Sequence, residues 1–170
     1  MRTLAAIGVL AIIIIVVGAA VFFFGGFYNV AASAPDPGIV NWALVKVRVA
    51  SIDRRARFTS PVNLEDPEIV RAGARAFSER GCTTCHGAPG VNWQKFSEGL
   101  NPDPPDLKDI AHEREPAQLF WVVKNGIKMT AMPGFGAIGA DDNQIWSVVA
   151  FIRKIPNVSA DDFKAWTAKP

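Results

Sequence analysis

The sequence predicts an all-α protein in which three main helices follow an N-terminal helix long enough to cross a membrane. Two observations support this prediction. The first 28 residues are almost entirely apolar, and later apolar positions recur at helical spacing between glycine and proline breaks. A chain of 170 residues has room for one ordinary domain and an appendage.

The N-terminal segment has the length and polarity of a membrane span. Leu4 to Tyr28 is uncharged, and as a helix it would be about 37 Å long, enough for a hydrocarbon core of about 30 Å. A cleaved signal peptide is the alternative, with Ala32-Ser33-Ala34 as the cleavage site, but signal cores have only about 7–15 residues. We therefore predict an uncleaved anchor over residues 1–34. Because Arg2 precedes the span, the N-terminus should be cytoplasmic and the rest extracytoplasmic.

Residues 35–66 are predicted to be a linker with a basic juxtamembrane arm. Val45, Val47 and Val49 alternate as in a strand, whereas Leu44, Val45, Arg48, Val49 and Ile52 fit one helix face, so its structure is left open. Residues 41–60 contain five basic side chains and one acidic. The arm is either a solvated spacer or a contact for anionic headgroups or a partner subunit.

The exported domain is predicted over residues 67–156, with residues 157–170 as a C-terminal tail. Its helices are predicted to cover Pro67 to Gly81, Pro116 to Lys124 and Asp142 to Lys154. The first two begin at a proline, and each of the three ends at or before a glycine or proline. Residues 87–110 are predicted to form a long loop. Ser159 is predicted to cap a last helical turn. Three short helices bury little apolar surface, so something else should complete the core.

The segment Cys82 to His86, CTTCH, contains both cysteines of the chain. A redox dithiol of the thioredoxin type needs a βαβ pattern that is lacking here. A structural zinc site needs four ligands, and beyond the three in this segment only His112 is available as the fourth. A simple disulfide between the two cysteines would leave His86 unexplained. The C-x-x-C-H spacing is typical of covalent haem attachment. It predicts one covalent haem c, bound through the sulfurs of Cys82 and Cys85, with His86 as an axial iron ligand.

The second axial ligand is predicted to be Met132. It lies 46 residues after His86 and is followed by Pro133-Gly134, which suits a rigid loop. Met129 would line the pocket, and His112, among charged residues, would be exposed. His86 and Met132 together leave the iron no open position. The predicted function is therefore one-electron transfer rather than enzymatic catalysis, and thioether ligation raises the reduction potential. A haem that opens its sixth site to a small ligand, or an exported domain with one disulfide, are the rivals.

These motifs resemble the class I c-type cytochromes over about residues 67–156. Gly73 and Phe77 stand where that family's first helix crosses its last, and Phe151 looks like the aromatic partner on the last helix. Pro105-Asp106-Leu107 resembles the family's Pro-Asn-Leu. The resemblance implies a class I cytochrome c fold, wrapped around the haem, in which the Pro105 carbonyl accepts a hydrogen bond from the His86 Nδ1–H.

The sequence LFWVVKNGIKMTAMPGFG is similar to membrane-attached monohaem cytochromes that serve periplasmic dehydrogenases and terminal oxidases. Within it, Trp121 would bond a haem propionate through its indole N–H or pack in the core, and Trp93 would cover a haem edge, recognise a partner or simply pack in the loop. The prediction is a membrane-tethered one-electron carrier at the periplasmic face of a respiratory or photosynthetic membrane. Its redox partners would be a terminal oxidase, a dehydrogenase or a quinol-oxidising complex.

The alternative in the same chemistry is a tightly bound cytochrome c subunit of such a complex, docked through the span, the arm or the tail. Nucleic acid is not an expected partner. The net charge is +2, and no basic stripe is interleaved with aromatic residues.

Overall fold

All regular secondary structure within residues 2–168, the part that the computed structural model describes, is helical. The predicted all-α class is therefore confirmed. One isolated antiparallel bridge joins Ala88 and Val91 in this part of the chain. The chain divides into two compact units, residues 1–35 and residues 36–170.

The first unit contains helix α1 (Arg2–Phe24), which buries none of its side chains. Its mean hydropathy is 3.1 over an 18-residue window, and its 23 residues extend about 34 Å. It is therefore long and apolar enough to cross a bilayer, as predicted for this segment. Signal sequences share these properties, so the tether remains a proposal, which is developed below.

The second unit begins with helix α2 (Gly38–Arg55), which resolves the segment that the sequence left open. Its C-terminal half packs on helix α6 (Pro116–Asn125), where Gln118 Nε2 donates a hydrogen bond to Asp53 Oδ1 at 2.6 Å. Just beyond α2, the Phe58 ring meets Phe120 and Trp146 edge-on at 5.5 and 6.1 Å between centroids. The basic arm is thus attached to the domain at its C-terminal end.

The predicted main helices are present with capped starts. Helix α3 (Pro67–Glu79) begins where Asp66 accepts a hydrogen bond from the Glu68 amide, and α6 begins with a capping box of Glu115 and Gln118. Helix α7 (Asp142–Lys154) begins where Asp141 accepts from the Gln144 amide. Side chains that satisfy the first free N–H groups fix these helix starts locally.

The crossing of α3 and α7 is the most extensive helix contact among the described residues. It occurs at Gly73, where an added Cβ would lie 1.8 Å from the carbonyl oxygen of Ser147. Phe77 and Phe151, both fully buried, meet beside it with ring centroids 5.3 Å apart. Only glycine allows two helix backbones to approach so closely, and the two aromatic rings fill the space beside the crossing.

The segments flanking the main helices are more ordered than the sequence indicated. The long loop contains a 3-10 turn (Lys95–Gly99). The short helix α4 (Cys82–His86) precedes this loop, and the short helix α5 (Leu107–Ile110) forms its last residues. Ser159 caps helix α8 (Ala160–Thr167), and the Phe163 ring stacks on Phe151 with centroids 5.5 Å apart. Helix α8 thus completes the core, although the sequence treats residues 157–170 as a tail.

Replacing Gly73 by alanine is expected to destabilise the domain by about 3 kcal/mol or more, because the new methyl group forces α3 and α7 apart. Chemical denaturation of the holoprotein measures the loss. Gly99→Ala is the matched control, since a Cβ at Gly99 meets no atom within 4 Å. Equal stability of the two variants would contradict the observed crossing.

Removing the Phe163 ring is expected to cost about 3–5 kcal/mol, the range for a buried phenylalanine, because this side chain is only 3% exposed. Thermal and denaturant unfolding of Phe163→Ala provide the measurement. Lys164→Ala, an exposed position on the same helix, should change the free energy of unfolding little. A Phe163 variant as stable as wild type would show that α8 is not part of the core.

Candidate functional site

The two cysteines lie on one short turn that follows α3 directly. Gly81 ends α3 with a φ of 76°, α4 carries Cys82 and Cys85, and Gly87 leaves it with a φ of 64°. Both thiols are free and half-buried. Burial raises the pKa of the Cys82 thiol to about 12, so this sulfur is a neutral thiol at neutral pH. The turn brings both sulfurs and His86 within five consecutive residues.

His86 is held in a defined tautomer. Its Nδ1 lies 3.0 Å from the carbonyl oxygen of Pro105. A carbonyl can only accept, so Nδ1 carries the hydrogen and Nε2 keeps its lone pair. Burial lowers the pKa of His86, opposed by the bond to Pro105, and the ring is neutral at neutral pH. A neutral imidazole with one free nitrogen is what metal ligation needs. This is the contact that the cytochrome resemblance implied, and its role beside a haem remains a prediction.

Met132 lies in a tightly bonded loop after α6. This methionine loop, residues 126–139, begins at Gly126 with a φ of 68°. Ile127 N donates to Met132 O at 3.2 Å, Thr130 Oγ1 donates to Ile127 O at 2.8 Å, and Met132 N donates to Thr130 Oγ1 at 3.1 Å. The Met132 side chain packs against the core, so the loop holds one thioether in a defined place.

Met129 differs from Met132 in both exposure and backbone. Its side chain is 96% exposed, and its φ of 59° lies in the left-handed region, which is strained for a residue other than glycine. In this structure it does not line a pocket, in contrast to the sequence-based expectation. The structure thus distinguishes two methionines that the sequence places three residues apart.

Of the remaining candidates, Trp93 lines a recess together with His86, Gly87 and Ala88. Trp121 is half-buried on α6, and His112 is exposed as expected. Trp93 is 46% exposed, and its indole nitrogen donates to Glu98 Oε1 at 3.4 Å. The role of Trp121 toward a haem propionate remains a prediction.

Sequence reasoning missed two polar side chains that shape the site. Thr130 bonds the interior of the methionine loop, and Arg80 bonds its far end. Neither belongs to a motif. For Arg80 the only signal was a basic residue at the end of a helix, where cations commonly bond free carbonyls.

The donor set fits a covalently attached haem. Cys82 and Cys85 are unoxidised thiols at the attachment spacing, His86 offers Nε2, and Met132 offers a thioether on a braced loop. Haem bound by these residues supplies a one-electron iron couple. The protein would supply ligands on braced segments and an apolar surround, both of which would keep structural change small when the charge of the iron changes.

Comparison with known proteins identified one family. A family model described as cytochrome c oxidase, cbb3-type, subunit III matches residues 68–152, half of the chain. No curated protein and no solved structure matches the chain significantly. The matched residues include α4, Pro105 and the methionine loop.

Replacing Met129 by glycine is expected to stabilise the holoprotein by about 1 kcal/mol, because the left-handed backbone no longer strains a side chain. Lys128→Gly, at an exposed neighbour without positive φ, should instead destabilise slightly. Denaturant midpoints of both variants make the comparison. A loss of stability in Met129→Gly would argue against the observed loop conformation.

Proposed function

Because the chain belongs to the family of cytochrome c oxidase, cbb3-type, subunit III, and is a class I c-type cytochrome, we propose that it is a membrane-tethered one-electron carrier. Membership of this family implies that the chain is a haem protein that transfers electrons. The tether, the single covalent haem and the residues that hold it are our proposal. It has the haem attached at Cys82 and Cys85, with His86 and Met132 as the iron ligands.

One observation supports the ligand assignment most directly. The hydrogen bond from His86 Nδ1 to the Pro105 carbonyl leaves Nε2 as the free nitrogen on the residue that follows the second attachment cysteine. Such bonds orient a ligating histidine and raise its basicity.

The surrounding chain favours electron transfer over catalysis. Met132 is held from both sides, because its amide bonds Thr130 and its carbonyl accepts from Ile127. A strong bond from this thioether would keep substrates from the iron. The buried Phe135 and Val123 close the apolar wall near Cys82. A dry surround and fixed ligands lower the energy needed to reorganise charge during transfer.

We further propose that α1 anchors the protein with its N-terminus in the cytoplasm. Arg2 lies on the N-terminal side of the apolar segment, and the next charged residue is Asp36. This orientation places residues 36–170 at the periplasmic or other extracytoplasmic face, where haem is attached and where membrane-bound redox partners are available. A tether raises the effective concentration of the carrier near a terminal oxidase, a dehydrogenase or a quinol-oxidising complex.

A second candidate is a permanently bound subunit of such a complex. The description of the family itself names an oxidase subunit. In addition, the first half of α2 exposes four large apolar side chains within nine residues, namely Ile39, Trp42, Leu44 and Val47. Exposed apolar surface of this kind is typical of an interaction site.

Replacing Met132 by alanine is expected to leave the haem attached but to remove the long-wavelength absorption band of thioether-ligated ferric haem. The reduction potential should fall by at least about 100 mV, a part of the roughly 0.8 V range set by axial ligands. Spectroscopy and redox titration measure both changes. Met129→Ala is the matched control, and if it produced these effects instead, the ligand assignment would be wrong.

Deletion of residues 1–34, replaced by a cleavable export signal, is expected to release a haem-containing domain into the soluble fraction. This follows because none of the described residues of that segment, 2–34, belongs to the core. The full-length protein, solubilised in mild detergent, is then sized to distinguish a lone carrier from a permanently bound subunit. A lone carrier elutes as a single protein, whereas a bound subunit elutes with partners.

A further inference from the structure

Arg80 joins the attachment turn to the far end of the methionine loop. It is the C-cap of α3, two residues before Cys82. Its Nη2 donates to the carbonyl oxygen of Gly139 at 3.0 Å and to Gln144 Oε1 at 2.6 Å. Its Nη1 donates to the carbonyl oxygen of Ile138 at 3.3 Å. One side chain thus bonds three acceptors that lie 58–64 residues later in the sequence.

The two carbonyl acceptors need an external donor. They stand at the end of the 3-10 segment Phe135–Ile138, where Gly139 reverses the chain with a φ of 90°. The last carbonyls of a helical segment have no donor within the segment itself. A guanidinium, with several N–H groups in a planar fork, can satisfy both carbonyls and the Gln144 amide oxygen together.

The segment that Arg80 holds is continuous with Met132. Pro133 and Gly134 connect the methionine to the buried Phe135, and an added Cβ at Gly134 would lie 2.8 Å from the carbonyl oxygen of Asn125. The part of the methionine loop just after Met132 is therefore packed against the end of α6. The far end of this loop is bonded to Arg80, and through it to the residues that begin the attachment turn.

We propose that Arg80 is a positioning residue that sets the strength of the bond between Met132 and the iron. This inference rests on the proposed function, in which α4 holds one side of the haem and the methionine loop the other. The bonds of Arg80 link those two parts directly through the protein. They limit how far the loop can move away from the turn, and so keep the thioether at a high effective concentration where it ligates.

Competition with added imidazole tests the proposal, because imidazole must displace Met132 to bind ferric iron. Arg80→Met in the full-length holoprotein is expected to bind imidazole about ten-fold more tightly than wild type, the effect of losing charge-assisted hydrogen bonds. Arg80→Lys should fall between the two, since lysine keeps the charge but lacks the planar fork.

Arg153 provides the matched control. Its Nη1 donates to the carbonyl oxygens of Ala111 and Arg114 at 3.2 and 3.4 Å, so it also bonds backbone carbonyls but not those of the methionine loop. Arg153→Met should lower the free energy of unfolding yet leave imidazole affinity within about two-fold of wild type. Equal imidazole affinities in the Arg80 and Arg153 variants would overturn the proposal.

Further variants and the ferric spectrum distinguish failure of this inference from failure of the variant to fold. If Arg80→Met does not accumulate as holoprotein, Arg80→Lys and Gln144→Ala replace it, and unchanged imidazole affinity in both would reject the role of Arg80. The ferric wild-type spectrum separates this inference from the proposed function. Absence of the thioether band there refutes Met132 ligation itself, whereas its presence with unaffected Arg80 variants refutes only the positioning role.

Discussion

The contact between α3 and α7 at Gly73 is the constraint on which the rest of the domain depends. The backbone of α7 occupies the space where any side chain at Gly73 would stand, and Phe77, Phe151 and Phe163 close around that crossing. The C-terminal end of α3 leads into the attachment turn, and the N-terminal end of α7 receives the methionine loop. The helix crossing therefore determines how these two functional segments are placed.

Electron transfer places particular demands on such an arrangement. The groups around the iron should change little when its charge changes, so they must be held by the fold and not by the iron alone. With His86 and Met132 as the proposed ligands, the chain would meet this demand through hydrogen bonds at each position: Pro105 for His86, Thr130 for Met132 and Arg80 for the loop beyond it.

The sequence predicted the main helices well because their boundaries are encoded locally. Asp66, Glu115 and Asp141 cap them, and their prolines and glycines stand where helices begin and end. Helix α2 could not be assigned because its apolar residues fit both periodicities, and only packing on α6 decides between them. The extent of α8 was missed because it depends on Phe163 reaching the core, a tertiary contact.

The candidate site likewise combines residues that a local motif predicts with residues that only the fold brings together. Cys82, Cys85 and His86 were predicted as haem-binding residues because attachment chemistry requires their spacing, and Met132 because a proline follows it; these roles stay predictions. The Pro105 contact was expected only through family resemblance, since 19 residues separate it from His86. Arg80 was not predictable, because its acceptors are backbone carbonyls and a Gln144 amide brought close by the fold.

The acceptor of the His86 hydrogen bond is a main-chain oxygen, and this has an evolutionary consequence. Every residue type carries the same carbonyl, so a substitution at Pro105 cannot delete the acceptor and can only shift it. Drift in the neighbouring loop would therefore adjust the electron-donating power of the imidazole in small steps without abolishing it. In the haem-bound protein proposed above, substitutions near Pro105 would thus change the reduction potential in small steps while the attachment residues stay unchanged.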